Sequence, residues 1–175
     1  MAHPPIPDPE SREARLYEML QRLGIAWHTI AHPAVFTVGE SSAILDALPG
    51  GHTKNLFLKD KKGGLWLAVV MAHCRVDLPA LAKQLGAPRF SFGSPELLEA
   101  TLGITPGSVT PFALMNDRDH VVTPVLDQAM LACDPVNFHP LRNDRTTALA
   151  PADLMRFIEA CGHTPIIAPI PEKSA

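Results

Sequence analysis

The sequence has few of the residues that build disulfide frameworks, aromatic cores or basic nucleic-acid surfaces. Its three cysteines, Cys74, Cys133 and Cys161, lie far apart and form no CxxC pair, so a reducing compartment is expected and a disulfide framework is not. Aromatic residues make up only 6% of the 175 residues, so aliphatic side chains must fill the core. The net charge is −3, with 15 basic and 18 acidic residues. Broad coverage of a nucleic-acid backbone needs a basic surface, so any such contact should be small and local.

Long apolar stretches are also missing. The longest apolar run, residues 65–72, is far too short to span a bilayer, and the first residues lack the apolar segment of a signal peptide. We therefore expect a cytoplasmic protein with no membrane partner. We also expect no DNA partner.

Several common catalytic motifs are absent from the sequence. It contains no GxxxxGK[ST], GxGxxG or GxSxG sequence, and neither HExxH nor paired CxxC. The eight histidines are scattered. These absences predict no metal and no cofactor, and they disfavour a metal-dependent hydrolase.

The arrangement of apolar residues and helix caps predicts one α/β domain. Pro-rich residues 1–8 are expected to form a flexible N-terminal segment, residues 9–162 the folded domain, and residues 163–175 a loosely packed tail. Helices are predicted to begin at residues 9, 37, 77, 94 and 151, from N-cap residues and early prolines. Strands are predicted at 25–30, 55–59, 65–72, 112–115, 120–126, 130–133 and 146–149. The predicted fold is a mixed, largely antiparallel sheet with surrounding helices.

Three segments combine polar side chains with backbone punctuation. In the first, HTKNLFL at 52–58, Lys54 stands at the beginning of a predicted strand, where its side chain can extend into a cleft. In the second, TPGSVTP at 105–111, two prolines bracket Gly107 in a stiff loop whose amides can face an anion. On these residues alone, a solvated lysine and an ordinary connection are the favoured interpretations.

The third segment, NFHPLRNDRTT at 137–147, gathers a histidine, two asparagines, two arginines and two threonines before a predicted strand. A single histidine such as His139 is more often structural than catalytic. So many hydrogen-bonding groups within eleven positions are less common, and the segment is equally compatible with a structural and a functional role.

Together these segments resemble the YbaK and prolyl-tRNA editing-domain family, and within it the free-standing alanyl-tRNA(Pro) deacylase branch. The matching stretches are HPAVFTVGE at 32–40, HTKNLFLKD at 52–60, GITPGSVTPFALMND at 103–117 and NFHPLRNDRTT at 137–147. Each motif is weak alone, but the four occur in the family's order. The resemblance runs from about residue 16 to residue 161.

The resemblance implies the family's α/β fold around a central pocket and an aminoacyl-tRNA deacylase that needs no metal or cofactor. Lys54 matches the family's essential lysine, Gly107 and Pro111 match the ends of its GxxxP loop, and His139 matches a histidine of the amino-acid pocket. The implied catalytic residues are Lys54, Gly107 and Ser108. The implied substrate-binding residues are Val35, Phe36, Asn55, Val109, Thr110, Pro111 and His139.

The chemistry agrees with this resemblance. An aminoacyl ester is already activated, so its hydrolysis needs positioning and oxyanion stabilisation more than a strong nucleophile. The expected partners are the acceptor end of tRNA(Pro) carrying alanine and, as a second candidate, prolyl-tRNA synthetase. The basic residues expected near the acceptor stem are Lys54, Lys59, Lys61, Lys62, Arg142 and Arg145.

Three alternatives stay open at this point. One is the same reaction on cysteinyl-tRNA(Pro) or seryl-tRNA, which pocket volume decides. Another is a non-catalytic module that binds tRNA or a synthetase. The last is the disfavoured metal-dependent hydrolase.

Overall fold

The structure is a computed structural model that describes residues 5–34 and 48–174. The helices described are α1 (Pro9–Arg22), α2 (Leu78–Leu85), α3 (Pro95–Leu102) and α4 (Pro151–Ala160). The strands described are β1 (His28–Ala31), β2 (Gly51–Asp60), β3 (Leu65–Met71), β4 (Phe90–Phe92), β5 (Val122–Asp127), β6 (Val136–Phe138), β7 (Arg145–Leu149) and β8 (Ile166–Ala168). Short 3-10 helices cover Pro111–Asn116 and Met130–Ala132.

The helix ends follow directly from local sequence. Asp8, Asp77 and Ser94 are N-caps whose side chains accept a hydrogen bond from a backbone amide of the first turn, and a proline lies in the first two positions of each helix. Helices α2 and α3 end at Gly86 and Gly103, which have φ angles of 69° and 65°. This left-handed backbone favours glycine. The predicted helix starts near residues 9, 77, 94 and 151 are confirmed.

The strands form one mixed sheet in the order β1-β7-β6-β2-β3-β5-β8, with β4 also paired to β2. The pairs β1–β7, β6–β7, β2–β3 and β2–β4 are antiparallel. The pairs β2–β6, β3–β5 and β5–β8 are parallel. The predicted mixed α/β fold with helices around the sheet is confirmed.

Residues of the β2–β3 hairpin alternate between two hydrophobic cores, one on each side. Phe57, Leu67 and Val69 belong to the main core, with α1, α4 and the helix Pro111–Asn116. Leu58 and Val70 belong to a smaller core beside α2. Because side chains alternate along a strand, the two cores identify which face each β2 residue presents.

Two predicted strands are wrong. Residues 112–115 lie in a 3-10 helix that begins after Thr110, whose hydroxyl accepts from the amide of Phe112. Residues 130–132 form another 3-10 turn. A short apolar run does not distinguish a buried helical turn from a buried strand, and in the first helix Phe112 and Leu114 are both fully buried.

The prediction of a loosely packed C-terminal tail is also wrong. Residues 166–168 form β8, which runs parallel to β5, and the amide of Lys173 donates to the backbone oxygen of Arg75 at 2.8 Å. His163 is buried and its Nε2 lies 2.9 Å from a carboxylate oxygen of Asp117. Strands β4, β6 and β8 span only three residues each. This is too short for an alternation of apolar and polar residues to be recognised in the sequence.

Two further predictions fall on residues that the structure does not describe. Most of the helix expected from residue 37 lies outside the described residues, as do residues 1–4 of the N-terminal segment. Within 5–34 and 48–174, no helix is long and apolar enough to cross a membrane.

Candidate active site

The parallel pairing of β2 with β6 brings two of the candidate segments together. The ladder pairs Gly51 with Val136 and His52 with Asn137, and the Thr53 hydroxyl then donates to the backbone oxygen of Asn137 at 2.7 Å. Because the two strands run in the same direction, Lys54 and His139 follow this last contact at the same end of the ladder. Further along β2, pairing resumes with β4 at residues 58–60.

Lys54 and its neighbour Asn55 lie on opposite faces of β2. Lys54 pairs with Val70 of the smaller core, whereas Asn55 pairs with Val69 of the main core. Lys54 is half-buried and lines an open cleft. The Oδ1 atom of Asn55 is buried and receives no hydrogen bond from the described residues. A buried acceptor without a donor costs about 1–3 kcal/mol, so this atom is poised for a ligand donor.

The loop at 104–111 lies on the Asn55 side of the sheet. Ile104 and Phe112 belong to the main core and Val109 packs against it. Gly107 has a φ of 90°, a backbone conformation that favours glycine. The loop therefore requires a backbone conformation at position 107 that favours glycine.

Not every amide of this loop can face a ligand. The amide of Ser108 donates to the backbone oxygen of Thr105 at 3.1 Å, and Ser108 itself is buried, with 3% exposure. The amides of Gly107, Val109 and Thr110 donate to no acceptor within 5–34 and 48–174. The expectation that all four loop amides can contact an oxyanion is therefore wrong for Ser108.

His139 has a defined tautomer. Its Nδ1 lies 2.9 Å from the backbone oxygen of Arg145, and because a carbonyl oxygen only accepts, Nδ1 carries the hydrogen. Burial lowers the pKa of His139 below its ordinary value, against the raising effect of that hydrogen bond. The ring is thus neutral near pH 7, and Nε2 is an acceptor.

A second histidine, which the sequence did not single out, lies beside the first. The rings of His32 and His139 are 6.0 Å apart. His32 is buried, with Nδ1 2.8 Å from the backbone oxygen of Pro33 and Nε2 2.8 Å from the Thr146 hydroxyl. These two bonds hold the His32 ring in place beside that of His139.

Both arginines of the third segment are bound by Asp144 of the same segment. Asp144 binds the guanidinium of Arg142 through both oxygens, and Arg145 donates to the backbone oxygen of Asp144. Asn137 is buried and donates to the backbone oxygens of Pro49 and Gly51. The expectation that Arg142 and Arg145 meet an acceptor stem is not supported, because Arg142 is only 12% exposed and both are occupied by Asp144.

The other predicted positions divide into three groups. Pro111 is buried where its 3-10 helix begins, and Thr110 is buried as its cap. Lys59, Lys61 and Lys62 are exposed on and after β2. Val35 and Phe36, the expected pocket walls, lie outside the described residues.

Cysteine chemistry and metal binding find little support in the described residues. Burial raises the pKa of Cys161 to about 12, and burial with nearby Glu172 raises that of Cys74 to about 11. Such thiols are protonated at neutral pH and are poor nucleophiles. Within 5–34 and 48–174, no three His, Cys, Asp or Glu side chains are grouped to hold a metal.

Comparison with solved structures identifies the class of fold. The structure superposes on that of a candidate trans-editing enzyme for prolyl tRNA synthetase with a TM-score of 0.72 and 21% identity, over 95% of this chain and 99% of the other. At that identity the likeness establishes the fold, a mixed α/β editing-domain architecture.

Sequence comparison then establishes the family. The chain belongs to the aminoacyl-tRNA editing domain family, whose model matches residues 32–157. It is 40% identical to a prolyl-tRNA synthetase associated domain-containing protein 1 of Danio rerio, over 91% of this chain and 88% of the relative. It is also 34% identical to the prolyl-tRNA editing protein ProX of Acetoanaerobium sticklandii, over 83% of this chain and 89% of the relative.

Proposed function

We propose that this protein is a trans-editing deacylase that hydrolyses the ester of alanine mischarged onto tRNA(Pro). The observation that carries the proposal is the parallel register of β2 and β6, from which Lys54, Asn55 and His139 continue at one end of the ladder. Lys54 matches the family's essential lysine, and His139 matches its pocket histidine. Family membership supplies the reaction class.

In this proposal, a water molecule attacks the ester carbonyl and no side chain becomes acylated. The loop amides of Gly107, Val109 and Thr110 stabilise the developing oxyanion, a role worth about 10²–10³ in rate for each donor. Lys54 supplies a positive charge to the substrate's polar groups. The raised pKa values of Cys74 and Cys161 argue against either of these thiols as the nucleophile.

His139 serves as a neutral pocket wall whose Nε2 can accept a hydrogen bond from the substrate. The buried Oδ1 of Asn55 is a second acceptor on the main-core side of β2. Two acceptors suit the substrate's α-ammonium group or a ribose hydroxyl, which are donors. This arrangement binds the aminoacyl end in one orientation, which is what a hydrolase of an activated ester requires.

The choice of alanine follows from size. A synthetase pocket built for proline rejects smaller alanine weakly, because each missing carbon is worth only about 1–3 kcal/mol. A second, smaller pocket admits a methyl side chain and excludes the pyrrolidine ring. We assign its walls to Val35, Phe36 and His139.

The test is a deacylation assay on alanyl-, cysteinyl-, seryl- and prolyl-tRNA(Pro) with the wild type and His139→Ala. We expect the wild type to cleave the alanyl ester fastest and to leave the prolyl ester intact. The variant should lose size selectivity and cleave alanine more slowly. Preferential cleavage of the cysteinyl or seryl ester would remove the alanine assignment, and cleavage of none would favour a non-catalytic binding module.

We also propose that the protein acts in a reducing cytoplasm, because the described cysteines Cys74, Cys133 and Cys161 are all free thiols. Prolyl-tRNA synthetase is the proposed protein partner. The name of the Danio rerio relative includes an association with that synthetase.

A further inference from the structure

Four basic side chains line the cleft on the Lys54 face of β2. This cationic cleft has a volume of about 480 Å³ and is lined by Lys54, Arg75, Arg89 and Lys173, among other residues. The protein as a whole is acidic, with a net charge of −3. Because the four cations come from distant parts of the chain, folding concentrates positive charge at one place on an otherwise acidic molecule.

These cations are not neutralised within the described residues. The ion pairs of residues 5–34 and 48–174 use Arg142, Arg145, Arg156 and His163, and none uses a cation of the cleft. Asp77 lies between Val76 and Leu78 of the cleft lining, and its carboxylate caps α2 by accepting from the amide of Ala80 at 3.0 Å. Unpaired cations converging on a concave surface are the arrangement that binds phosphates.

Aromatic and apolar groups complete the cleft. Phe92 of β4 lines it and is 65% exposed, while Phe90 is buried and lies edge-on to Trp66 at 5.5 Å. Leu56 and Val76 also line the cleft. An exposed aromatic ring beside basic side chains is the combination with which proteins hold single-stranded nucleic acid, one base stacking on the ring.

The backbone holds the walls of the cleft in place. Lys173 is tied to Arg75 by the bond from its amide to the Arg75 oxygen, and Glu172 pairs with Val76 in an isolated antiparallel bridge. Phe92 pairs with Leu58 in the β2–β4 ladder. The C-terminal segment thus supplies one wall, β4 another, and β2 the floor that carries Lys54.

We propose that the cationic cleft binds the single-stranded 3′ end of the tRNA, with Arg75, Arg89 and Lys173 on its phosphates and Phe92 stacked on a base. This inference rests on the proposed function and extends it to residues that none of the family motifs contains. The cleft is open and small, which suits one or two nucleotides and the small nucleic-acid contact expected from the net charge. Lys54 lines the cleft and is also the residue proposed to contact the substrate's polar groups, which places the cleft beside the proposed reaction site.

The test compares a cleft variant with a variant of matched charge. The first combines Arg75→Gln, Arg89→Gln and Lys173→Gln. The control combines Arg15→Gln, Arg22→Gln and Arg118→Gln, three exposed positions outside the cleft. A third protein carries Phe92→Ala alone. Circular dichroism melting establishes that each variant is folded.

The first measurement is binding of a hairpin RNA with a single-stranded CCA end, followed by fluorescence anisotropy over a salt series. The cleft variant should bind more weakly, and its slope of log affinity against log salt should be shallower by about 2, at roughly 0.7 per lost phosphate contact. Phe92→Ala should weaken binding by about 5- to 100-fold. The control should match the wild type, and removing the CCA end should abolish the difference between the wild type and the cleft variant.

The second measurement is deacylation kinetics on mischarged tRNA. The cleft variant should raise KM by about tenfold or more with kcat nearly unchanged, since the removed contacts are made to phosphates and not to the ester. Wild-type affinity and salt slope in the cleft variant would overturn the inference while leaving the deacylase proposal standing. If the wild type binds the RNA through the cleft but cleaves no ester, the cleft inference is supported and the deacylase proposal is refuted. Equal binding of a blunt hairpin would overturn the single-strand assignment.

Discussion

The Nδ1 nitrogen of His139 lies 2.9 Å from the backbone oxygen of Arg145, six positions along the chain. This hydrogen bond closes the turn between β6 and β7 and fixes which ring nitrogen carries the proton. It leaves Nε2 as the acceptor that the proposed pocket needs.

Acidification should remove a stabilising contribution of His139. Burial lowers the pKa of His139 in the folded protein, so the unfolded chain binds a proton first, near its ordinary value of about 6.5. The contribution is complete above that pH and is lost as pH falls towards the folded pKa, at no more than about 1.4 kcal/mol per pH unit. Urea unfolding of the wild type and His139→Gln between about pH 7.5 and about pH 5 checks this. The stability advantage of the wild type should shrink on acidification, and parallel curves would contradict it.

Lys54→Ala should reduce deacylation by about 10²-fold or more while leaving stability nearly unchanged. The side chain is half-buried beside an open cleft, so its removal leaves no closed cavity. Lys83→Ala, at an exposed position on α2, is the control and should keep wild-type turnover. A folded Lys54→Ala protein with normal kcat would remove Lys54 from the mechanism.

Gly107→Val should cost both stability and activity, whereas Gly63→Val should cost only stability. The two glycines have nearly the same φ, 90° and 87°, so a valine is strained to a similar extent at each, by about 1–3 kcal/mol. Gly63 lies in the β2–β3 turn with open space around its missing side chain. Single-turnover rates should fall by about 10²–10³ for Gly107→Val alone. Equal rates in the two variants would show that the loop is only a connection.

Asn55→Ala should separate function from stability. Its buried Oδ1 accepts no hydrogen bond from the described residues, so removing it relieves an unsatisfied group and should leave the free energy of unfolding unchanged or higher. Deacylation should fall by about tenfold or more if a substrate donor binds there. A marked loss of stability would mean that Asn55 has a structural partner instead.

Exhaustive chelation should leave deacylation unchanged, because within 5–34 and 48–174 no metal-binding group of three side chains is present. The measurement is the rate after dialysis against EDTA, with and without added zinc. Loss of activity that zinc restores would require a metal in the mechanism.

Local sequence was enough to predict much of the architecture. The caps at Asp77 and Ser94 and the glycines at 86 and 103 define α2 and α3 because each acts within one helical turn. The β2–β3 hairpin follows from two β-rich runs around a Gly-rich turn. The four family motifs likewise identified the family, since a motif is a local property.

Other features depended on contacts that no local pattern contains. Residues 112–115 are apolar enough for a strand, but capping by Thr110 and burial on all sides make them a 3-10 helix. The three residues of β8 form a strand because the edge of β5 offers unpaired backbone groups. Arg142 is basic in sequence, yet Asp144 occupies it in the fold.

The sequence by itself determined the family, the helix ends, the central hairpin and the identity of Lys54, Gly107 and His139 as candidates, because each is encoded in a few neighbouring residues. Only the tertiary structure decided which core each face of β2 meets, with Lys54 towards the smaller core and Asn55 towards the main core. It also decided that Arg75, Arg89 and Lys173 meet Lys54 in one cleft. The physical reason is that electrostatic fields and burial sum over residues that are close in space, and chain folding brings these cations together from positions as far apart in the sequence as 54 and 173.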